Sequence, residues 1–215
     1  MRRSKIPQGT FTTTIQSLSH EGRGIGEWEG KKCFIHGALP GEIVDFEITF
    51  LNKKRAEGRA VHIHQASPSR VVPKCEAFGR CGGCSLQHMD HDAQLSFKQK
   101  MVLELFAHIG KVTPETVLPP LKGPIWGYRK KARLGVRDVP KKGGVLVGFR
   151  ETFSNRIAVM NQCEVLDDRV GKLIEPLKNL LSTLESKADI PQIEVAATEK
   201  EAALVIRHLV PLPEK

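Results

Sequence analysis

Apolar and polar residues alternate from Ile43 to Phe50. Ile43, Asp45, Glu47 and Thr49 fall on one side, with Val44, Phe46, Ile48 and Phe50 on the other. A period of two is the signature of a strand buried on one face. Short strands of this kind are expected from Thr10 to about Gln65, in TFTTTIQSLS, EGRGIGEWEG, KKCFIHGALPGE, EIVDFEITFLN and RAEGRAVHIHQ. Their close spacing and Gly-rich turns predict a small barrel of the OB type, an architecture that takes oligonucleotides on one face. GRGIG (22–26) lacks the full G-x-G-x-x-G spacing and no helix follows it, so it is read as a hairpin bend rather than a dinucleotide loop. Cys33, in the run Cys33-Phe34-Ile35, is expected as a small buried hydrophobe. His62 and His64 alternate with Val61 and Ile63 and are expected on an exposed face.

The pattern then changes. ASPSRVVP (66–73) is rich in Pro and Ser and reads as a linker. Asp90 or Asp92 is placed to cap a helix through QLSFKQKMVLELFAHIG, on which Leu95, Val102, Leu105, Phe106 and Ile109 form an apolar stripe that ends at Gly110. From Trp126 onward strands return in YRKKARLGVRD, GVLVGFR and RIAVM. One helix is expected over LDDRVGKLIEPLKNLLSTLES, and a hairpin over QIEVAA and AALVIRHL around TEKE. The whole is β-rich α+β, a barrel followed by an α+β domain.

With 215 residues the chain is long enough to bury a core without covalent staples. MRRSKIPQGTFTTTIQ has no apolar stretch of signal-peptide length, and no segment approaches a membrane span, so a cytoplasmic protein with no membrane partner is expected. Thirty-three Lys and Arg against 24 Asp and Glu leave a net charge of +9, which suits a polyanion such as nucleic acid. The densest basic stretch is Arg129, Lys130, Lys131, Arg133 and Arg137, interrupted by Leu134 and Val136, as a phosphate-contacting strand would be. On the barrel the weaker candidates for RNA contact are Arg23, Lys53, Lys54 and Arg55.

Three of the five cysteines crowd into CEAFGRCGGC, with the spacing C-x5-C-x2-C at Cys75, Cys81 and Cys84. Cys163 follows after 78 intervening residues. In a reducing compartment such a group points to a metal or a cluster before disulfides. An iron-sulfur cubane takes one thiolate per iron, so three from a loop and one from a distant element suffice. Zinc accepts four thiolates too, but its structural sites usually pair two short knuckles and the second is missing here. Gly82 and Gly83 allow a sharp turn and let backbone N–H groups approach sulfur. Both groups remain open on spacing alone.

ALPGE (38–42), SPSRVVPKCEAFGRCGGCSLQH (67–88), YRKKARLGVR (128–137) and GFRE with the later Cys163 together resemble the N-terminal part of the 23S rRNA (uracil-5-)-methyltransferases, most closely those of the RlmD type. The resemblance implies an OB-like TRAM barrel over 1–66, an iron-sulfur Cys loop over 67–90, a helix over 91–118 that packs on a methyltransferase domain, and the rest of the α+β central domain over 119–215. It implies a 4Fe-4S cluster held by Cys75, Cys81, Cys84 and Cys163, with 23S rRNA as partner. It also implies S-adenosylmethionine as the methyl donor of the full-length protein. In that chemistry a cysteine thiolate adds to C6 of a flipped-out uridine, C5 takes the methyl group and a carboxylate removes the C5 proton.

The family's Phe-Gln-x-Asn segment, Gly-rich adenosylmethionine loop and Asp-Pro-Pro-Arg stretch are not found before Lys215. No catalytic residue is therefore assigned. The expectation is a chain without the catalytic domain, inactive alone and open to self-association through its helix stripe. The alternative is a stand-alone zinc- or cluster-bearing RNA-binding adaptor. A radical adenosylmethionine enzyme is disfavoured, because its C-x3-C-x2-C spacing is absent.

Overall fold

The computed structural model describes residues 6–211. They divide into two compact units. One runs through Pro73 and resumes over Ser85–Pro120; the other takes Lys74–Cys84 and the residues from Leu121 on.

The first unit is built on six strands: β1 (Thr10–Thr14), β2 (Ser17–Leu18), β3 (Gly24–Trp28), β4 (Lys31–His36), β5 (Ile43–Leu51) and β6 (Arg55–Gln65). They form one sheet in the order β1-β5-β6-β4-β3-β2, antiparallel except for β4 beside β6. The two ends of that order, β1 and β2, are consecutive in the chain, so the sheet must curl back on itself. Closure is visible where Thr13 Oγ1 donates to Glu27 O at 2.9 Å, and Gly26 makes room, since a Cβ there would stand 2.9 Å from Thr13. Ile15, Cys33, Ile35, Val44, Phe46 and Ala56 fill the interior.

Phe50 departs from the expected alternation. A register shift between Ile48 and Phe50 inserts Thr49 as an extra residue, so Leu51 turns towards the core and Phe50 is 40% exposed. GRGIG is only in part a bend: Gly22 turns with φ +78°, and Gly24 and Gly26 already belong to β3.

The Pro- and Ser-rich segment is not a free linker. Glu42, fully buried, accepts from Leu39 N at 2.8 Å, Ser67 N at 3.0 Å, Arg70 Nε at 2.5 Å and Arg70 Nη2 at 2.7 Å, and Arg70 Nη2 also donates to Gly37 O at 2.7 Å. ALPGE and SPSR are thus two halves of one clasp. Beyond it α1 (His91–Leu105) starts at Asp90, whose carboxylate accepts from Asp92 N and Ala93 N. The helix continues into a wider π turn over Phe106–Gly110, and Lys111 ends it with φ +53°. No residue of α1 is fully buried, and of the expected stripe Val102, Leu105, Phe106 and Ile109 are exposed.

In the second unit β7 (Lys131–Val139), β8 (Gly144–Gly148), β9 (Gln192–Ala197) and β10 (Ala202–Arg207) make an antiparallel sheet in the order β10-β9-β7-β8. Ala132, Leu134, Val136, Val145, Val147, Ile193 and Val195 bury one face against Ile174, Leu177 and Leu181. Two expectations are corrected. RIAVM is not a strand; it meets its neighbour in a single bridge, Arg150 to Ile157. The long helix is two pieces, α2 (Asp168–Gly171) and α3 (Ile174–Ser182). Pro176 has no N–H to give, so it is tolerated only in the first turn of a helix, which is where α3 holds it.

Candidate functional site

Cys75, Cys81, Cys84 and Cys163 all belong to the second unit and pack on its one core cluster. Cys81 and Cys163 are buried, Cys75 and Cys84 partly so. The loop that carries the first three is folded by Cys81 N donating to Ala77 O at 2.8 Å. It is then pinned to residues 150–152 by Gly82 N to Arg150 O at 2.8 Å and Thr152 N to Arg80 O at 2.9 Å. Cys163 is placed from the other side, its N–H on Gly171 O at 3.1 Å, and a Cβ on Gly171 would lie 2.3 Å from the Cys163 carbonyl oxygen. Residues 127–129 bind the same stretch through Gly127 N to Glu164 O at 3.0 Å and Arg129 N to Val165 O at 2.8 Å. The basic segment and the fourth cysteine are therefore held by a shared run of backbone hydrogen bonds.

None of the four cysteines is joined in a disulfide. Burial pushes the thiols of Cys75, Cys81 and Cys163 up from their ordinary value, and each is pushed further by charge on neighbouring thiols of the group. Opposing this, backbone N–H groups aim at sulfur: Gly83 N at 3.4 Å from Cys81 Sγ, Ala77 and Phe78 at Cys75, Val165 and Leu166 at Cys163. Donors on sulfur favour the thiolate form, which ligation to a metal or cluster needs. The donor set thus suits a thiolate-ligated group. Among the described residues no three His, Cys, Asp or Glu side chains converge as a single metal ion requires.

The basic residues sort by their neighbours. On β7, Lys131, Arg133 and Arg137 are exposed and Ala132, Leu134 and Val136 buried, so the alternation turns a cationic row outward. Arg133 leans on Glu194 across the sheet at 3.5 Å, and Lys130 is paired with Glu199. Arg129 places its guanidinium over Phe149, 5.0 Å from the ring centroid, in a cation-π contact, and donates from Nε to Lys131 O. On the barrel Arg23 is held between Glu21 at 2.8 Å and Glu57 at 3.2 Å. Lys53 and Lys54 stand exposed on the β5–β6 turn, shaped by Asn52 Oδ1 accepting from Lys54 N and Arg55 N. Arg55 pairs with Glu57 and lies 5.8 Å over Phe50.

Sequence reasoning missed an open cleft of about 360 Å³ lined by Gly82, Gly83, Arg129, Phe149, Arg150, Glu151 and Thr152. GFRE is visible in the sequence, but only folding sets it against the two glycines of the Cys loop.

Comparison with known proteins places these features. The TRAM domain family matches residues 9–61. The chain is 51% identical to the 23S rRNA (uracil(1939)-C(5))-methyltransferase RlmD of Alcanivorax borkumensis, over 99% of this chain and 48% of the relative. It is 52% identical to that of Nitrosococcus oceani, over 98% and 47%. It spans about half the length of the curated relatives it matches. A solved structure of similar fold is the Pyrococcus abyssi tRNA (uracil-54, C5)-methyltransferase in complex with S-adenosyl-L-homocysteine. It is 22% identical, with a TM-score of 0.61, over 94% of this chain and 47% of that one. This neighbour corrects the expectation of a missing catalytic domain. The fold described here makes up about half of that methyltransferase chain. No helix among the described residues is long and apolar enough to cross a membrane.

Proposed function

We propose that this chain, which belongs with the RlmD-type 23S rRNA (uracil-C5)-methyltransferases over the half of their length it spans, recognises RNA for an enzyme that forms 5-methyluridine in 23S rRNA from S-adenosylmethionine. The observation that carries the RNA reading is the outward row Lys131, Arg133 and Arg137 on β7, with Arg129 and Lys130 at its start. A TRAM barrel with an exposed basic turn at Lys53, Lys54 and Arg55 supports it. Phosphate contacts of this kind hold the substrate in register and leave sequence to be read elsewhere. None of the described residues is given a catalytic role. The rRNA substrate puts the protein in the cytoplasm.

Cys75, Cys81, Cys84 and Cys163 are the residues that would hold a 4Fe-4S cluster, consistent with four cysteines outside any disulfide on one core and N–H donors on sulfur. With cysteine at every iron, such a cluster supplies a covalent tie between the loop and the distant segment and leaves no open iron for substrate. The chain's own part is to keep the thiols partly dry and to orient them through the backbone bonds to residues 150–152 and Gly171. The exposed apolar residues at the end of α1, Leu105, Phe106 and Ile109, support self-association of this chain. A monodisperse monomer in light scattering with no uptake of apolar dye removes that part of the reading.

The RNA reading is tested by replacing Arg129 and Lys131 together with Ala. Binding of rRNA should weaken and its logarithmic salt dependence should drop by between one and two charges, whereas an unchanged slope shows that β7 is not the contact face. Anaerobic purification tests the cluster: about four irons and four sulfides per chain with a broad visible absorption supports it. About one zinc and no sulfide favours the adaptor instead.

A further inference from the structure

The cleft beside the Cys loop combines features that phosphate binding alone does not need. Two arginines line it, and one of them, Arg129, holds its guanidinium over the ring of Phe149, 5.0 Å from the centroid. Among the described residues no carboxylate pairs with Arg129 or Arg150; Arg150 gives one donor to Asn155 Oδ1 at 2.9 Å and keeps the rest of its fork. The single acid in the lining, Glu151, is already answered by Ser154 at 2.7 Å and Lys142 at 3.3 Å. The floor is backbone, Gly82 and Gly83, where a Cβ on Gly82 would come within 3.2 Å of Arg150 O. A volume of about 360 Å³ lies at the lower end of the range of small-molecule pockets.

We propose that this cleft is a subsite for one unpaired nucleotide of RNA, its base stacked on the Arg129–Phe149 pair and its phosphate met by Arg150. The proposal rests on the RNA-binding reading and deepens it. A guanidinium already fixed by an aromatic ring offers a planar cationic surface with little ordering left to do, and any base has a π face to lay on it. A base paired within an A-form helix presents no such face, so the site selects single-stranded or extruded nucleotides. Lysine at position 129 would carry the charge without the plane.

The experiment measures the affinity of the chain, by fluorescence anisotropy, for a labelled single-stranded oligouridylate, the same phosphate chain with abasic ribose, and an RNA duplex of equal length. The wild-type chain is expected to prefer the oligouridylate over the abasic chain by about tenfold. Arg129→Lys and Phe149→Leu should each remove most of that preference, Arg129→Lys with its salt slope unchanged, and thermal melts should show both variants folded. If the wild-type chain binds RNA but the abasic chain binds equally well, or both variants keep the preference, the subsite is overturned and the RNA reading stands. If the wild-type chain holds no RNA of any kind, both fall.

Discussion

Glu42 is a carboxylate with no exposure at all, and its four hydrogen bonds show why it is tolerated. Burial alone would raise its pKa, but the Arg70 guanidinium and the N–H groups of Ser67 and Leu39 hold it below the ordinary 4.5. Removing one partner of such a pair is costlier than the pair is worth, because the other charge stays buried. Arg70→Met is expected to lose about 3–5 kcal/mol in urea denaturation at pH 7. His88, also buried, is held neutral: burial, then the charge of Arg70, lowers its pKa from 6.5 to about 4. The unfolded chain takes up that proton more readily, so stability should fall as pH drops from 6.5 to 4, by about 3 kcal/mol in all. Glu42 adds to the loss below 4.5, where its protonation costs the native state more than the unfolded one. His88→Gln should flatten the first part of this acid limb and leave the second.

At the scale of elements, one extra residue decides what β5 presents. Phe46 lies in the barrel interior and Phe50, four residues on, lies outside because of the shift at Thr49. Phe46→Ala is expected to cost about 3–5 kcal/mol, while Phe50→Ala should cost under about 1 kcal/mol, both read from equilibrium unfolding. The break between α2 and α3 has the same character. Gly171 ends α2 where a Cβ would stand 2.3 Å from the Cys163 carbonyl oxygen, so any side chain must push that carbonyl away. Gly171→Ala should destabilise by on the order of 3 kcal/mol and make Cys163 faster to react with a thiol reagent in the metal-free protein, because a displaced segment is more open to solvent. A variant that melts like wild type with unchanged thiol reactivity would show that this contact does not place the cysteine.

Across the whole molecule, chain order and spatial grouping part company. The Cys loop, Lys74–Cys84, groups with the residues from Leu121 on, while the segment between them, Ser85–Pro120, returns to the unit of the barrel. A segment shared in this way has its cost of ordering met by contacts distant in sequence, and a covalent group linking Cys75, Cys81 and Cys84 to Cys163 would close a long loop. Cys163→Ser is therefore expected to lower both the iron content of anaerobic protein and its melting temperature. Equal melting in the presence of a full cluster would rule out Cys163 as a ligand.

Much of this was legible in the sequence because it depends on local periodicity. The strands of the barrel, the Asp90 cap, the β9–β10 hairpin around TEKE and the alternation that turns Lys131 and Arg133 outward follow from side chains two or four residues apart. The Cys spacing limited the chemistry to thiolate-binding groups for the same reason. Tertiary structure alone decided the rest. Thr49 becomes an extra residue only when β5 meets β6, a supposed linker is tied down by a glutamate 28 residues before Arg70, and Phe149 becomes a platform only when β8 leads it under Arg129. Each depends on a contact between residues far apart in the chain, whose geometry is set by packing and by the need to pair buried polar groups, and a one-dimensional pattern carries neither.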